Sequence, residues 1–357
     1  MTSANPLAPV EKVCYLLGAG DSFDSDQQLP LMGSFFRPED LETRGDLKQF
    51  LTDLFPGRGP SEYNLEDALA FLDLGRQRTN RWDPGAAIAG RLDSLYRTIL
   101  QIVRERLSIP SGQGSKPHFE LLRTLGPKDT VITLNYDLVV DQTLREVRAA
   151  KLNSRILEID RVGKLHALLS NSIAYGGGVP VSLTASEREG GFYLKLHGSL
   201  DWVTCRHQGC VNSQTISIES PSGSAARLSH EADPCRQCGT ALSTMIVPPI
   251  TSKRIDDSGK LSLIWNLAAK ELAAAGRIVI MGVSLAASDF ELRWLLSHAL
   301  YARNGRPVEV CLVNPDPEAR TRVLKCLPRA NGDAWGYQDR RAYLEGNAIA
   351  GPFSLGP

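Results

Sequence analysis

Short apolar runs, each stopped by a turn that is polar or carries glycine, set the rhythm of this chain. They are Val13–Leu17, Val131–Leu134, Tyr193–Leu196, Arg277–Met281 and Pro307–Val313. Runs of this kind predict strands buried on both faces, as in a parallel sheet. Between them the apolar spacing changes to three and four residues. Leu47-Phe50-Leu51-Leu54, Leu65-Ala68-Leu69-Leu72 and Ile88-Leu92-Leu95-Ile99-Val103 predict three helices, parted by breaks at Pro56–Pro60 and Asp83–Gly85. Further helices are predicted over Pro117–Leu125, Asp141–Ala150, Leu261–Ala275, Asp289–Arg303 and Glu318–Cys326. Strands alternating with helices predict an α/β fold with a Rossmann-like parallel sheet over residues 1–330. The helical block 37–107 reads as an insertion into it. Plain packing explains that block most simply; capping a pocket or carrying an oligomer contact are its functional alternatives.

Other stretches lack a clean period. Asp21–Leu29 is too rich in Asp and Ser for a clean helix start, while Phe35 and Phe36 read as core. Arg155–Asn171 is ambiguous, and Gly176–Gly178 reads as a flexible loop. Residues 331–357 are rich in Gly and polar residues and read as a C-terminal tail that wraps the surface or binds a partner.

Composition narrows the function classes. The chain has 357 residues, 42% of them hydrophobic and 22% charged, enough for one large domain with an insertion or for two domains. Formal net charge is zero, so no basic field holds nucleic acid, and no direct nucleic-acid role is expected. No apolar run approaches the ~20 residues of a membrane span, and MTSANPLAPVEK lacks the regions of a signal peptide. A cytoplasmic protein is expected. Four of the seven cysteines form two pairs, Cys205 with Cys210 and Cys235 with Cys238, joined by a Ser-rich linker. This predicts a small module over residues 203–245 built on a tetrahedral Zn2+ held by four thiolates. Such a coordination sphere is closed, so the metal is structural; His207 and His230 are reserve ligands.

Candidate chemistry sits where the strands stop. Glycines in Gly18-Ala19-Gly20 permit unusual backbone angles and a close approach to a ligand such as a phosphate, although such a turn also occurs with no ligand at all. Phe23 stands where a dinucleotide fingerprint has its third glycine. In an open parallel sheet the ligand crevice lies at the carboxyl ends of the strands. Asn135 and Asp137 are placed for it; as isolated residues they would be an N-cap and a turn. His197-Gly198 ends the third strand, Gly282-Val283-Ser284 the fourth and Asn314 the fifth.

The order of these motifs resembles the sirtuin family along nearly the whole chain. A Gly-Ala-Gly-x-Ser turn, an Asn-x-Asp turn, a His-Gly, a four-cysteine zinc module, a Gly-x-Ser turn and a later Asn occur in sequence. The resemblance implies sirtuin topology and NAD as substrate. Gly18, Ala19, Gly20 and Ser22 would face the pyrophosphate and ribose. Asn135 and Asp137 would sit at the nicotinamide end, His197 would be the base at the ribose, and Gly282, Ser284 and Asn314 would hold the adenosine part. Two departures matter. Residues 21–32 replace the small-residue run into Pro-Asp-Phe-Arg of a sirtuin deacylase, and Met245-Ile246-Val247-Pro248-Pro249 replaces its peptide-pairing segment. Prolines there remove backbone donors that an added peptide strand would need. LPLM, LNYD, LHGSLDW and VPP look like the divergent bacterial sirtuin-like branch, whose members cleave NAD in anti-phage defence.

The resemblance therefore implies an NAD+ glycohydrolase, with Asn135, Asp137 and His197 as the catalytic group. Its alternatives are an NAD-dependent protein deacylase or ADP-ribosyltransferase, and a non-catalytic NAD or ADP-ribose-binding subunit. A homo-oligomer is expected, as is a partner ATPase, Argonaute or other defence subunit, with no membrane association. Residues 37–107, residues 155–178 and the tail are candidate gates.

Overall fold

The computed structural model describes residues 10–82, 86–110, 113–150, 191–205, 207, 209–210, 217–218, 234–240, 242–246, 261–286, 289–327 and 331–355. The expected segments 155–171 and 176–178, and the Pro248-Pro249 pair, lie outside them.

The chain divides into two compact units. The larger is built on a seven-stranded sheet. Its strands are β1 (Val13–Leu17), β2 (Thr130–Thr133), β3 (Tyr193–Lys195), β7 (Arg277–Met281), β8 (Glu309–Val313), β9 (Gly332–Tyr337) and β10 (Ala350–Leu355), in the order β10-β9-β8-β7-β1-β2-β3. Every pairing is parallel except that of β10 with β9. In β1 and β7 every residue is buried, which is why both read as unbroken apolar runs. Counted outward, three strands run one way from β1 and the rest run the other way from β7, the doubly wound order. The order in which strands are added reverses between the parallel neighbours β1 and β7, whose last residues, Leu17 and Met281, are paired in register. In a doubly wound sheet the ligand crevice is expected beyond such a pair.

Helices α1 (Ala19–Phe23), α6 (Lys116–Leu122) and α7 (Val139–Ala149) belong to this unit. So do α8 (Ser262–Ala274), α9 (Phe290–Tyr301), α10 (Pro317–Lys325) and α11 (Arg340–Leu344). A second, antiparallel sheet of the same unit orders β5 (Ser217–Ile218), β4 (Gly198–Cys205) and β6 (Leu242–Ile246), and carries the cysteines.

Two expectations are corrected. The stretch after the glycine turn is not irregular from Asp21: a single helical turn starts at Ala19, with Asp21 in its first turn, where a negative charge suits the exposed N–H groups. The expected tail 331–357 is, over its described residues 331–355, part of the sheet unit: 332–337 and 350–355 complete the sheet and 340–344 form a helix between them. GDAWGY hides its strand character behind glycines and an aspartate. AGPFSL holds a proline that only an edge strand accepts, beside a register shift and a Gly351 with φ +111°.

The smaller unit is built on Leu29–Ser108 and contains the expected helical block. Its helices are α2 (Pro38–Glu42), α3 (Gly45–Leu54), α4 (Leu65–Trp82) and α5 (Ala86–Leu107). Phe35, Phe36, Leu47, Leu51, Leu65, Leu69, Ile99 and Ile102 are buried in it. An ion pair of Arg106 with Asp40, 2.9 Å apart and largely buried, ties its last helix to its first.

Candidate functional site

Gly18 and Gly282 leave β1 and β7 side by side, and their backbones touch. Gly20 N–H donates to Gly282 O at 3.0 Å, while Gly282 N–H donates to Val313 O at 3.0 Å. A Cβ on Gly18 would lie 2.7 Å from Gly282 O, and one on Gly282, whose φ is +62°, would lie 2.0 Å from the Asp21 nitrogen. All three glycines are thus required by the packing of one turn on the other. Ala19 and Gly20 remain half-buried at the carboxyl end of the sheet, in the place where a doubly wound fold receives a nucleotide.

The turn after β2 is bonded into this one. Asn135 Nδ2 donates to Gly18 O at 3.0 Å and to Ser22 Oγ at 2.8 Å. Ser22 Oγ in turn donates to Asp137 Oδ2 at 2.8 Å. The other carboxylate oxygen of Asp137 accepts the Val139 N–H at 3.0 Å and starts α7. Because a carbonyl oxygen only accepts, the Gly18 bond fixes which end of the Asn135 amide carries the hydrogens. Burial pushes the Asp137 carboxyl up from its ordinary range, and the Lys195 charge opposes this. Lys195 is itself buried, with Nζ donating to the Asp137 carbonyl at 2.6 Å and to Asp141 Oδ2 at 2.8 Å.

His197 occupies the two-residue turn between β3 and β4. It is buried between the rings of Tyr136, 6.2 Å away, and Trp265, 6.1 Å away. The indole of Trp265 donates to the Leu196 carbonyl at 3.0 Å, holding that turn. Gly198 has φ +82°, and a Cβ there would lie 2.0 Å from Met245 O, so the chain leaves His197 by a path open only to glycine. His197 therefore borders the Asn135–Asp137 turn through Tyr136.

The remaining candidates lie on the β7 and β8 side. Asn314 Nδ2 donates to Val283 O at 3.1 Å, linking the two turns, and its Oδ1 accepts the Asp316 N–H at 2.9 Å. Ser284 is exposed, and its carbonyl accepts from Arg322 Nε at 2.9 Å.

Beneath the glycine turn is a buried trio that sequence reading missed. His118 Nε2 lies 2.7 Å from Asp21 Oδ2, and His118 Nδ1 lies 2.9 Å from Ser115 Oγ. Arg340 from α11 pairs with the other oxygen of Asp21 and donates to the Asp21 carbonyl at 2.9 Å. Burial alone would raise the Asp21 carboxyl, but the Arg340 charge and His118 outweigh it and hold it well below the usual carboxylate range. The local signal was limited to Ser115 three residues before His118, the spacing of a helix N-cap.

The four cysteines Cys205, Cys210, Cys235 and Cys238 converge, with all sulfurs within 4.8 Å of one another. Cys205 and Cys238 sulfurs are 3.5 Å apart, and those of Cys210 and Cys235 are 3.8 Å apart. Neither separation is a disulfide. Zn–S bonds of about 2.3 Å in a tetrahedron give edges of about 3.8 Å, so the donor set fits Zn2+. The turn is built for it: Gly239, at φ +74°, donates its N–H to the Cys235 carbonyl at 2.8 Å. His207 is described but stands outside the group; His230 lies outside the described residues.

No protein-family model matches the chain, and no curated protein matches it. A solved structure titled as a Sir2 mutant with a p53 peptide and NAD is similar, at 12% identity and a TM-score of 0.37, over 94% of this chain and 92% of that one. Among the described residues, no helix is long and apolar enough to cross a membrane.

Proposed function

We propose that this chain is an NAD+ glycohydrolase, yielding nicotinamide and ADP-ribose, and that it serves bacterial anti-phage defence by depleting NAD once triggered. One observation carries the reading. Asn135 is hydrogen-bonded to both Gly18 and Ser22, so the turns after β1 and β2 form one unit at the crevice of a doubly wound sheet. His197, in the turn that follows the next strand, is one ring contact away.

Each residue then has a defined task. With both amide hydrogens committed, Asn135 offers its carbonyl oxygen, an acceptor for a water or a ribose hydroxyl. Asp137 supplies a fixed negative charge beside positive charge developing at the anomeric carbon. His197 accepts a proton from that water or hydroxyl. Nicotinamide leaves as a neutral group from a cationic ring, so no general acid is needed. Gly18, Ala19, Gly20 and Ser22 would line the pyrophosphate and ribose, with Gly282, Ser284 and Asn314 at the adenosine end. A cytoplasmic homo-oligomer, joined by a defence partner such as an ATPase or an Argonaute, completes the proposal. A constitutive NAD-cleaving enzyme would kill its host, which calls for a gate.

A non-catalytic NAD or ADP-ribose-binding subunit is the second reading. It is favoured by the internal commitment of both Asp137 oxygens and both Asn135 hydrogens. Nicotinamide release, measured over a range of protein concentrations beside Asn135→Ala and His197→Ala, separates the two. Turnover lost in both variants supports the glycohydrolase. ADP-ribose binding with no turnover, also in infected-cell extract, supports the binder; turnover that needs an acetylated peptide would point to the deacylase instead.

A further inference from the structure

Lysine is almost never fully buried unless it is paired, and Lys195 on β3 is 1% exposed. Tyr193 precedes it by two residues, on the same face of the strand, so both side chains reach one carboxylate. Asp141 Oδ2 accepts from the Tyr193 hydroxyl at 2.9 Å and from Lys195 Nζ at 2.8 Å. That ion pair alone would account for a buried lysine. The shorter bond of the ammonium goes elsewhere, to the carbonyl of Asp137 at 2.6 Å. The neighbouring Tyr136 carbonyl accepts the Leu200 N–H at 3.0 Å, and the Thr133 carbonyl accepts the Leu196 N–H at 2.9 Å. These bonds tie the end of β2 and its turn to residues 195–200, the segment that contains His197. Among them only the Lys195 bond carries a charge.

We propose that Lys195 is a positioning residue of the candidate site: its ammonium clamps the Asn135–Asp137 turn to the segment bearing His197, and holds a fixed positive charge near the Asp137 carboxylate. A main-chain donor would close the turn as well, but would bring no full charge into a buried site, where charge is weakly screened. The charge has a task there. Burial drives the Asp137 carboxyl toward its neutral form, and the Lys195 charge is the leading influence against this. The other charged or titratable groups around the pair are His118 on α6, Tyr193 on β3, Asp141 on α7 and Asp201 on β4. Asp141 also draws on Lys195, so two carboxylates share one ammonium. For its effect on turnover the inference rests on the glycohydrolase reading, in which Asp137 acts as an anion; the clamp itself does not.

Lys195→Met and Asp141→Asn, made in the full chain, test it. Two readouts are followed in each: nicotinamide release, and the titration of the Asp137 carboxyl carbon by NMR, assigned by its loss in Asp137→Asn. Lys195→Met is expected to lower kcat about 10-fold or more, with KM for NAD changed by less than about 3-fold, since a buried lysine adds nothing to ground-state binding. It is also expected to move the Asp137 titration to higher pH. Asp141→Asn removes a negative charge and leaves Lys195 its bond to the Asp137 carbonyl, so it is expected to move that titration to lower pH. Opposite shifts from the two halves of one ion pair are not produced by loosened packing. A titration that Lys195→Met leaves in place, shifts of the same sign in both variants, or a Lys195→Met protein with wild-type kcat overturns the inference. Should Lys195→Met fail to fold, Asp141→Asn decides: a lowered titration supports the clamp, and an unchanged or raised one overturns it. A wild type that releases no nicotinamide counts against the glycohydrolase, and the carboxyl titrations then judge the clamp by themselves.

Discussion

Arg340 Nη2 donates to the carbonyl of Asp21 at 2.9 Å and pairs with its carboxylate, across 319 residues of sequence. The first loop of the sheet is thereby pinned by the segment between its last two strands. Both side chains are almost wholly buried. The C-terminal part of the chain thus underpins the glycine turn as well as closing the sheet.

Removing the cation should be costly. Arg340→Met leaves Asp21 buried with His118 as its remaining side-chain partner, and breaking a buried pair on one side typically costs 3–5 kcal/mol. A loss of about 3 kcal/mol or more in denaturant unfolding is expected. Arg341→Met is the control: Arg341 is exposed and pairs with Glu345 four residues on, and its loss should leave the unfolding curve essentially unchanged.

Acid should act through the same pair. The folded-state pKa of Asp21 is depressed below its unfolded value. Its contribution is therefore present in full above the unfolded pKa, near ~3.9, and is lost as pH falls toward the folded value. The stability gap between wild type and Asp21→Asn should hold through the neutral range and narrow below about pH 4. Asp137 has the opposite sign. Burial raises its folded pKa, so the folded state binds its proton first and the carboxylate form is disfavoured above that value. The penalty in wild type relative to Asp137→Asn is relieved as pH falls through the raised pKa. Unfolding curves at stepped pH check both directions.

Backbone geometry makes a sharper demand at β7. Gly282→Ala would place a methyl 2.0 Å from the Asp21 nitrogen at φ +62°. A loss of about 3 kcal/mol or more, or failure to fold, is expected. Gly90 is exposed inside α5 with nothing within 4 Å of an added Cβ. Gly90→Ala should stabilise by about 0.5–1 kcal/mol. Thermal melts of the two variants test whether crowding or composition governs these glycines.

The comparison of sequence with structure divides along physical lines. Strands β1, β2, β3, β7 and β8 were legible because they are buried on both faces, which forces apolar runs that stop abruptly. The turns after them were legible for the same reason, and so was the cysteine group, whose pairs lie close in sequence. Strands β9 and β10 were not, since glycine, aspartate and an edge proline carry no apolar period. The Asp21–His118–Arg340 trio was illegible because its members lie 97 and 222 residues apart and meet only after the sheet has formed. Sequence order likewise made Asn135 a candidate for ligand contact, but gave no sign that its hydrogens are spent on Gly18 and Ser22.

The cysteine group makes the most direct chemical test. Four sulfurs within 4.8 Å of one another are too far apart for disulfides and well spaced for one tetrahedral cation. Purified protein should carry a single zinc ion per chain by elemental analysis, released on titration with a mercurial thiol reagent. Cys235→Ser should lower zinc occupancy. It should also speed hydrogen exchange in β4 and β6, whose ladder ends at Cys205 and Leu242. Exchange in β1 and β7 should stay slow, because their protection comes from the large sheet and not from the ribbon. Metal-free protein from zinc-replete cells, with unchanged exchange in the Cys235→Ser variant, would show the sulfurs to be a buried thiol cluster without a cation.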